Sequence, residues 1–172
     1  FMDYHIEKSK DDKFYPEDSW TEVNPKGGFG DWLSMTDKHL AHDIMASMYY
    51  QYALKIMAEM STAIGNQEKA NYYKSTYETS VSAFIKHYLD ENGKFQIDET
   101  IYGDGKGYFE GEKGFTGHTQ SAYATAIYFD ILPDELKTKA GEHLVALLEE
   151  NDNLPSSGIL GIRQLLPALS KI

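Results

Sequence analysis

LAHDIMASMYYQYALKIMAEMSTAIGNQEKANYYKSTYETSVSAFIKHYL, residues 40–89, decides the fold class. From Leu40 the apolar side chains Ile44, Met45, Met48, Tyr52, Ile56, Met60 and Ile64 recur at helical spacing. Ala41, Tyr49, Ala53 and Met57 widen that stripe, which predicts burial on more than one side. Thr36 is the expected N-cap, and Gly65 stops the helix as a C′ residue does. A second helix follows over about Gln67–Leu89, its apolar side made of Ala70, Tyr73, Tyr77, Val81, Phe84, Ile85 and Tyr88. A link as short as Gly65-Asn66 makes the two helices antiparallel neighbours, an αα-hairpin.

The same grammar continues downstream. Asp90-Glu91-Asn92-Gly93-Lys94 reads as a turn, and residues 95–117 as a long polar, glycine-rich loop of the kind that is usually functional or disordered. Helical signals resume at Thr119-Gln120 and run through Tyr123, Ala124, Ile127 and Tyr128 to Ile131. Pro133 opens a further helix at its N1 position, with Asp134 and Glu135 complementing the helix dipole and Leu136, Ala140, Leu144, Leu147 and Leu148 as its stripe. Leu154–Gly158 is a loop, and a last helical stretch from Ile159 is interrupted by Pro167. Residues 1–35 are polar, broken by Pro16, Pro25 and a glycine run, and read as loop. No strand and no repeat of fixed period is apparent, so the expected class is all-α, a single unit over residues 1–172 with hairpins from 36 onward. The chain starts at Phe1 and ends on Leu165, Leu166, Leu169 and Ile172 as a new apolar helix gets under way, which reads as part of something larger.

Composition narrows the function. A chain of 172 residues holds one sizeable core. A net charge of −11, spread along the chain, repels nucleic acid and anionic membranes, so neither is an expected partner. No apolar run approaches the roughly 20 residues of a membrane span, and no secretory leader is visible. That leaves the compartment open. With no cysteine there are no disulfides or thiolate metal sites. His39 and His42, with Asp43, share a helix face but lack a third ligand; Asp98, Asp104, Glu110 and Glu112 do not follow an EF-hand order. No metal or cofactor is therefore expected. The 13 tyrosines suit a polar cavity as well as a core.

The chemistry-bearing stretch is Gly27-Gly28-Phe29-Gly30-Asp31-Trp32-Leu33-Ser34, with one of the chain's two tryptophans. An acceptor beside a flat apolar face suits a sugar, whose hydroxyls want acceptors and whose C–H face wants an aromatic plane. The alternative is a loop Asp making an Asx-turn and a Trp plugging the core. A phosphate-loop reading fails, because no strand precedes the glycines and no Gly-Lys-Ser/Thr follows. His118 and Gln120 open a helix after the long loop, where side chains and free N–H groups can reach a ligand; ordinary capping is the alternative. Tyr102, Tyr108 and Phe109 offer either a stacking surface or loop anchors.

These motifs occur in a familiar order: Phe29-Gly30-Asp31-Trp32-Leu33, a helix pair ending in Ile-Gly, His118-Thr119-Gln120, then Ser157-Gly158-Ile159-Leu160-Gly161 before Leu165-Leu166-Pro167-Ala168-Leu169. From about Trp20 to Ile172 the chain resembles the catalytic domain of bacterial α-L-rhamnosidases, glycoside hydrolase family 78. Ser157 departs from the Thr common there, and the 95–117 loop finds no counterpart. The resemblance implies part of an (α/α)6 barrel of six helical hairpins, with the sugar at one end. It implies that Asp31, Trp32, His118 and Gln120 bind a rhamnose-containing glycoside or polysaccharide. It implies an inverting hydrolase whose two carboxylates lie roughly 6.5–9.5 Å apart. The acid belongs to an acidic, arginine-containing motif upstream and the base to a segment downstream, so this stretch alone is expected to be inactive. A half barrel also exposes apolar helix faces, which predicts self-association or cover by flanking chain. Another (α/α)6 glycosidase or polysaccharide lyase keeps the fold with a different substrate. A helical protein-interaction module is the remaining alternative.

Overall fold

The computed structural model describes residues 2–9, 30–102, 104–105 and 114–172. Gly27, Gly28, Phe29, Tyr108, Phe109, Glu110 and Glu112, singled out above, lie outside them. In chain order the elements are α1 (Met2–Lys8), β1 (His39–Leu40), α2 (His42–Ala63), α3 (Gln67–Tyr88), α4 (Glu99–Tyr102), β2 (Phe115–Thr116), α5 (Gln120–Tyr128), α6 (Asp134–Glu149) and α7 (Ile162–Leu169).

The expected hairpin α2–α3 forms. Gly65 adopts φ +75° at C′, and the N–H of Asn66 reaches back to the Ser61 carbonyl, the bond that closes a Schellman cap. Asn66 then caps α3, its Oδ1 accepting from the Lys69 N–H at 3.1 Å. A second hairpin, α5–α6, turns at Asp130 in the left-handed region, where the N–H of Ile131 bonds the Ala126 carbonyl. Helix α5 also packs on α7 and on α2, which makes it the shared beam of the structure. Every residue from Gln120 to Ile127 is buried, because Ser, Ala and Thr let neighbours approach on all sides. The larger core gathers Ile44, Met45, Met48, Phe84, Tyr88, Phe95, Tyr123 and Leu144. A smaller one packs α1 on the hairpin through Met2, Tyr50, Leu54 and Tyr73.

Several expectations are corrected. Residues 1–35 are not all loop, since Met2–Lys8 is helical; Asp3 anchors it, bonding Lys69 Nζ and the Tyr73 hydroxyl, each at 2.9 Å. Thr36 does not cap α2; its hydroxyl donates to the Lys38 carbonyl at 2.6 Å, and the helix begins after Ala41. The N-terminal N–H groups of His42 and Asp43 are satisfied from a distance, by the Tyr102 hydroxyl. The stripe of α2 is buried only in its first half, on a face that includes Ser47, Gln51 and Leu54, while Met60 and Ile64 are exposed. The absence of strands is nearly right: β1 and β2 form a two-residue parallel pair, His39 opposite Phe115. The 95–117 stretch thus contains a strand and the short helix α4. Pro133 is the N-cap of α6 and not N1. Pro167 lies inside α7 and does not interrupt it; proline removes one N–H on an exposed face, and the helix still closes with Ser170 N–H to the Leu166 carbonyl at 3.2 Å. Apolar side chains of α7 and its flanks, Ile159, Ile162, Leu166 and Ile172, remain exposed.

Candidate functional site

The two glycine-containing motifs, 127 residues apart, interlock. Asp31 is 3% exposed, and its carboxylate receives four donors. Oδ2 accepts from the Gly158 N–H at 2.6 Å and from the Ser121 hydroxyl. Oδ1 accepts from the N–H groups of Leu160 and Gly161, each at 2.9 Å. Charge-assisted bonds of this kind are among the stronger ones a protein makes. The main chain adds two ties, Ile159 N–H to the Trp32 carbonyl at 2.8 Å and Met35 N–H to the Ser156 carbonyl at 2.9 Å.

The glycines are explained by the same contact. A Cβ on Gly158 would overlap the Trp32 carbonyl oxygen and lie 2.7 Å from that of Asp31. One on Gly161 would meet the Ser121 side chain and lie 2.9 Å from its Cα. Gly30 in turn sits against the His42 imidazole, 2.6 Å from its Nε2 for an added Cβ. At Gly158 the two backbones therefore approach as closely as only glycine permits, while at Gly161 and Gly30 the missing Cβ makes room for a side chain.

Gln120 joins the same segment. Its Nε2 donates to the carbonyls of Leu147 at 3.1 Å and Leu154 at 3.3 Å, while Oε1 accepts from the Ser156 N–H at 2.9 Å. The amide thus ties the end of α6 to the loop that Asp31 holds. Thr119 caps α5 from its own side chain, accepting from Ala122 N–H at 3.2 Å. Trp32 stands apart from these buried groups. It is 62% exposed on a turn closed by its own N–H to the Gly30 carbonyl, and Leu33 after it takes φ +62°.

His118 takes other partners. Its Nδ1 lies 2.6 Å from the Tyr123 hydroxyl, which also accepts from the Phe95 N–H at 3.3 Å. The hydroxyl keeps one proton and a second lone pair for this contact, so it either donates to Nδ1 or accepts from Nδ1–H according to the imidazole tautomer. His143 stands edge-on to His118 and stacks on Tyr123, its Nε2–H directed at the Asn92 carbonyl 3.1 Å away. Burial, with help from Lys94 and His143, holds the His118 imidazole below its ordinary range. Burial likewise pushes the Tyr123 hydroxyl up.

Of the four residues expected to bind sugar, Asp31 and Gln120 converge on the 154–161 segment with their polar atoms bonded inside the chain, Trp32 projects beside them, and His118 belongs to the Tyr123–His143 cluster. His39 and His42 flank Phe115, with their rings 6.2 and 5.4 Å from its ring. Among the described residues, no three His, Asp or Glu side chains gather as metal ligands. No described helix is long and apolar enough to cross a membrane.

Sequence reasoning missed Ser121 and His143, read Tyr123 only as part of a helix stripe, and weighed Asp43 only as a metal ligand beside His39 and His42. Asp43 accepts from the Tyr88 hydroxyl at 2.5 Å, its Oδ1 has no hydrogen-bond partner among the described residues, and burial raises its pKa against the opposing pull of Tyr88 and Tyr102. Nothing in the sequence pairs Ser121 with Gly161, whose added Cβ would meet it; that contact appears only in the fold.

Comparison with known proteins agrees with this architecture. The alpha-L-rhamnosidase of Streptomyces avermitilis is 30% identical over 148 residues, which is 86% of this chain and 12% of that protein. That of Formosa agariphila is 24% identical over 156 residues, 87% of this chain and 14% of that protein. The crystal structure of the S. avermitilis enzyme complexed with L-rhamnose superposes with a TM-score of 0.73 at 29% identity, covering 98% of this chain and 13% of that one. The chain thus spans 12–14% of the length of these relatives. The family described as bacterial alpha-L-rhamnosidase 6 hairpin glycosidase domain matches residues 1–172, and this chain belongs to it.

Proposed function

We propose that this chain forms part of the substrate pocket of a glycoside hydrolase that cleaves terminal α-L-rhamnosyl bonds with inversion. The observation that carries the reading is Trp32, a large indole left 62% exposed on a turn whose backbone is pinned by buried hydrogen bonds. An indole with this much exposed surface offers a flat apolar face that a sugar's C–H face can cover. The likeness to a rhamnosidase crystallised with L-rhamnose supports rhamnose as that sugar.

In this reading Trp32 stacks on or walls in the rhamnose, while Asp31 and Gln120 hold the two loops beside it. Inversion requires one carboxylic acid to protonate the leaving oxygen and a second carboxylate to activate water on the opposite ring face. Asp31 serves as neither, because four donors within the chain already occupy its oxygens. The resemblance puts the acid in a motif upstream of the Gly-Asp-Trp run and the base in one downstream of the Gly-Ile-Leu-Gly run; in this reading both come from flanking chain, and the isolated stretch is expected to be inactive.

The test is cleavage of an aryl α-L-rhamnoside by the full-length protein that carries this chain. The unmodified protein cleaves it, and Trp32→Ala raises KM or lowers kcat/KM by about tenfold or more, the scale of a lost aromatic contact. Unchanged kinetics in that variant would remove Trp32 from the site. Activity only on a different glycoside would replace rhamnose by that sugar.

A further inference from the structure

We infer that Asp31 is a positioning residue for Trp32: its carboxylate clasps the Trp32 turn to the 158–161 segment and so sets where the indole meets the sugar. The inference rests on the reading of Trp32 as a sugar-contacting side chain.

The clasp has three features that a generic loop anchor lacks. First, its donors come from two elements far apart in sequence, the Ser121 hydroxyl on α5 and the N–H groups of Gly158, Leu160 and Gly161. Both carboxylate oxygens are used, and Asp31 is 3% exposed, so a ligand hydroxyl would have to displace a protein donor to reach it. Second, the residue after it is tied to the same segment through its own main chain, by Ile159 N–H to the Trp32 carbonyl. Third, Leu33 is held at φ +62°, a region costly for a side chain with a Cβ. The bonds at Trp32 and Met35 bracket it on both sides, which is the over-determination that keeps such a residue in place. The Trp32 Cα is therefore fixed from both directions while its ring stays exposed. Without the clasp, the turn loses the constraint that offsets Leu33, and the indole is no longer presented at one place.

Asn in place of Asp31 keeps one oxygen acceptor and turns an NH2 toward two of the four donors. The experiment uses the full-length protein and has two arms. The first is amide hydrogen exchange, which needs no activity: Asp31→Asn accelerates exchange in residues 30–35 and 156–161 and leaves α3 unchanged. Unaltered exchange in those two segments overturns the clasp. The second is a double-mutant cycle on an aryl α-L-rhamnoside. Asp31→Asn raises KM in the same direction as Trp32→Ala, and in the Trp32→Ala background it adds less than about twofold. If instead the two effects multiply in full, Asp31 acts on the sugar directly and the positioning role is wrong. A merely stabilising Asp31 would lower Tm and leave KM where it was. Should Asp31→Asn not fold, Gly158→Ala pushes on the Trp32 carbonyl from the other side and must give the same exchange and KM pattern. If the unmodified protein cleaves no α-L-rhamnoside, the rhamnosidase reading fails, and the exchange arm still decides the clasp.

Discussion

Replacing Gln120 tests how much of the loop geometry is held by one buried amide. The side chain is 2% exposed and makes three hydrogen bonds, to Leu147, Leu154 and Ser156. Gln120→Met keeps the length and removes all three. At a net ~1 kcal/mol each, the loss is ~3 kcal/mol, with the Ser156 N–H left buried and unpaired adding to it. For a unit of this size 1 kcal/mol moves Tm by about 2–4 °C, so a fall of about 6–12 °C is expected. Gln120→Glu separates geometry from charge. It keeps an acceptor for Ser156 but turns a carboxylate oxygen, which has no proton to donate, toward two carbonyls. That variant is worse than Met at neutral pH and recovers on acidification, when a protonated carboxyl can donate again. Urea unfolding followed by circular dichroism measures both. A Gln120→Met variant within about 0.5 kcal/mol of the parent, the range of an ordinary surface substitution, would refute the view that this amide fastens the 147–156 connection.

Two further outcomes follow from neighbouring groups. Because His118 is held below its ordinary pKa, the unfolded chain binds more protons than the folded one in the window just below about pH 6.5. Its contribution to stability is therefore complete above that pH and lost as the pH falls toward the lowered value; Lys94 and His143 deepen the effect, while Asp90 and Glu150 oppose it. His118→Gln should be less sensitive to acid than the parent between about pH 7 and pH 5, measured as unfolding free energy, and equal sensitivity would contradict the assignment. Gly161→Ala places a methyl against the Ser121 side chain and costs about 1–3 kcal/mol as overpacking. Ser121→Gly in the same chain should recover part of the steric cost but not the hydroxyl's bond to Asp31, a pattern that thermal melts of the two single and one double variant can read.

Much of the helical scaffold was legible because the hairpin signals are local. Gly65-Asn66 carries both a stop and a cap within two residues, and α3 buries the Ala70, Tyr73, Phe84 and Tyr88 positions that its period predicts. What periodicity could not show is where a stripe loses its partner. Met60 and Ile64 continue the pattern of α2, yet are exposed. Equally invisible was the cap of α2, since the hydroxyl that satisfies His42 and Asp43 comes from Tyr102, about 60 residues on. The candidate site divides along the same line. Residue types marked Asp31, Trp32, His118 and Gln120, but only the tertiary fold distinguishes a carboxylate with four internal donors from an indole facing outward.

Helix α5 explains why the core and the two loops form one system. Successive residues of a helix point about 100° apart, so three adjacent side chains at its start reach three directions. Thr119 turns back to cap the helix itself, Gln120 reaches the end of α6 and Ser156, and Ser121 reaches Asp31. Such a fan can be satisfied only if protein surrounds the helix on every side. That in turn requires small residues along it, and Ala122, Ala124, Thr125 and Ala126 supply them, all fully buried. An enlargement at Ala124 or Ala126 would therefore act at a distance. By shifting α5 it would move Gln120 and Ser121 together, loosening the 154–161 segment and the Trp32 turn without touching either. The all-round burial of α5, at first sight a matter of core packing, is what gives the exposed indole a fixed base.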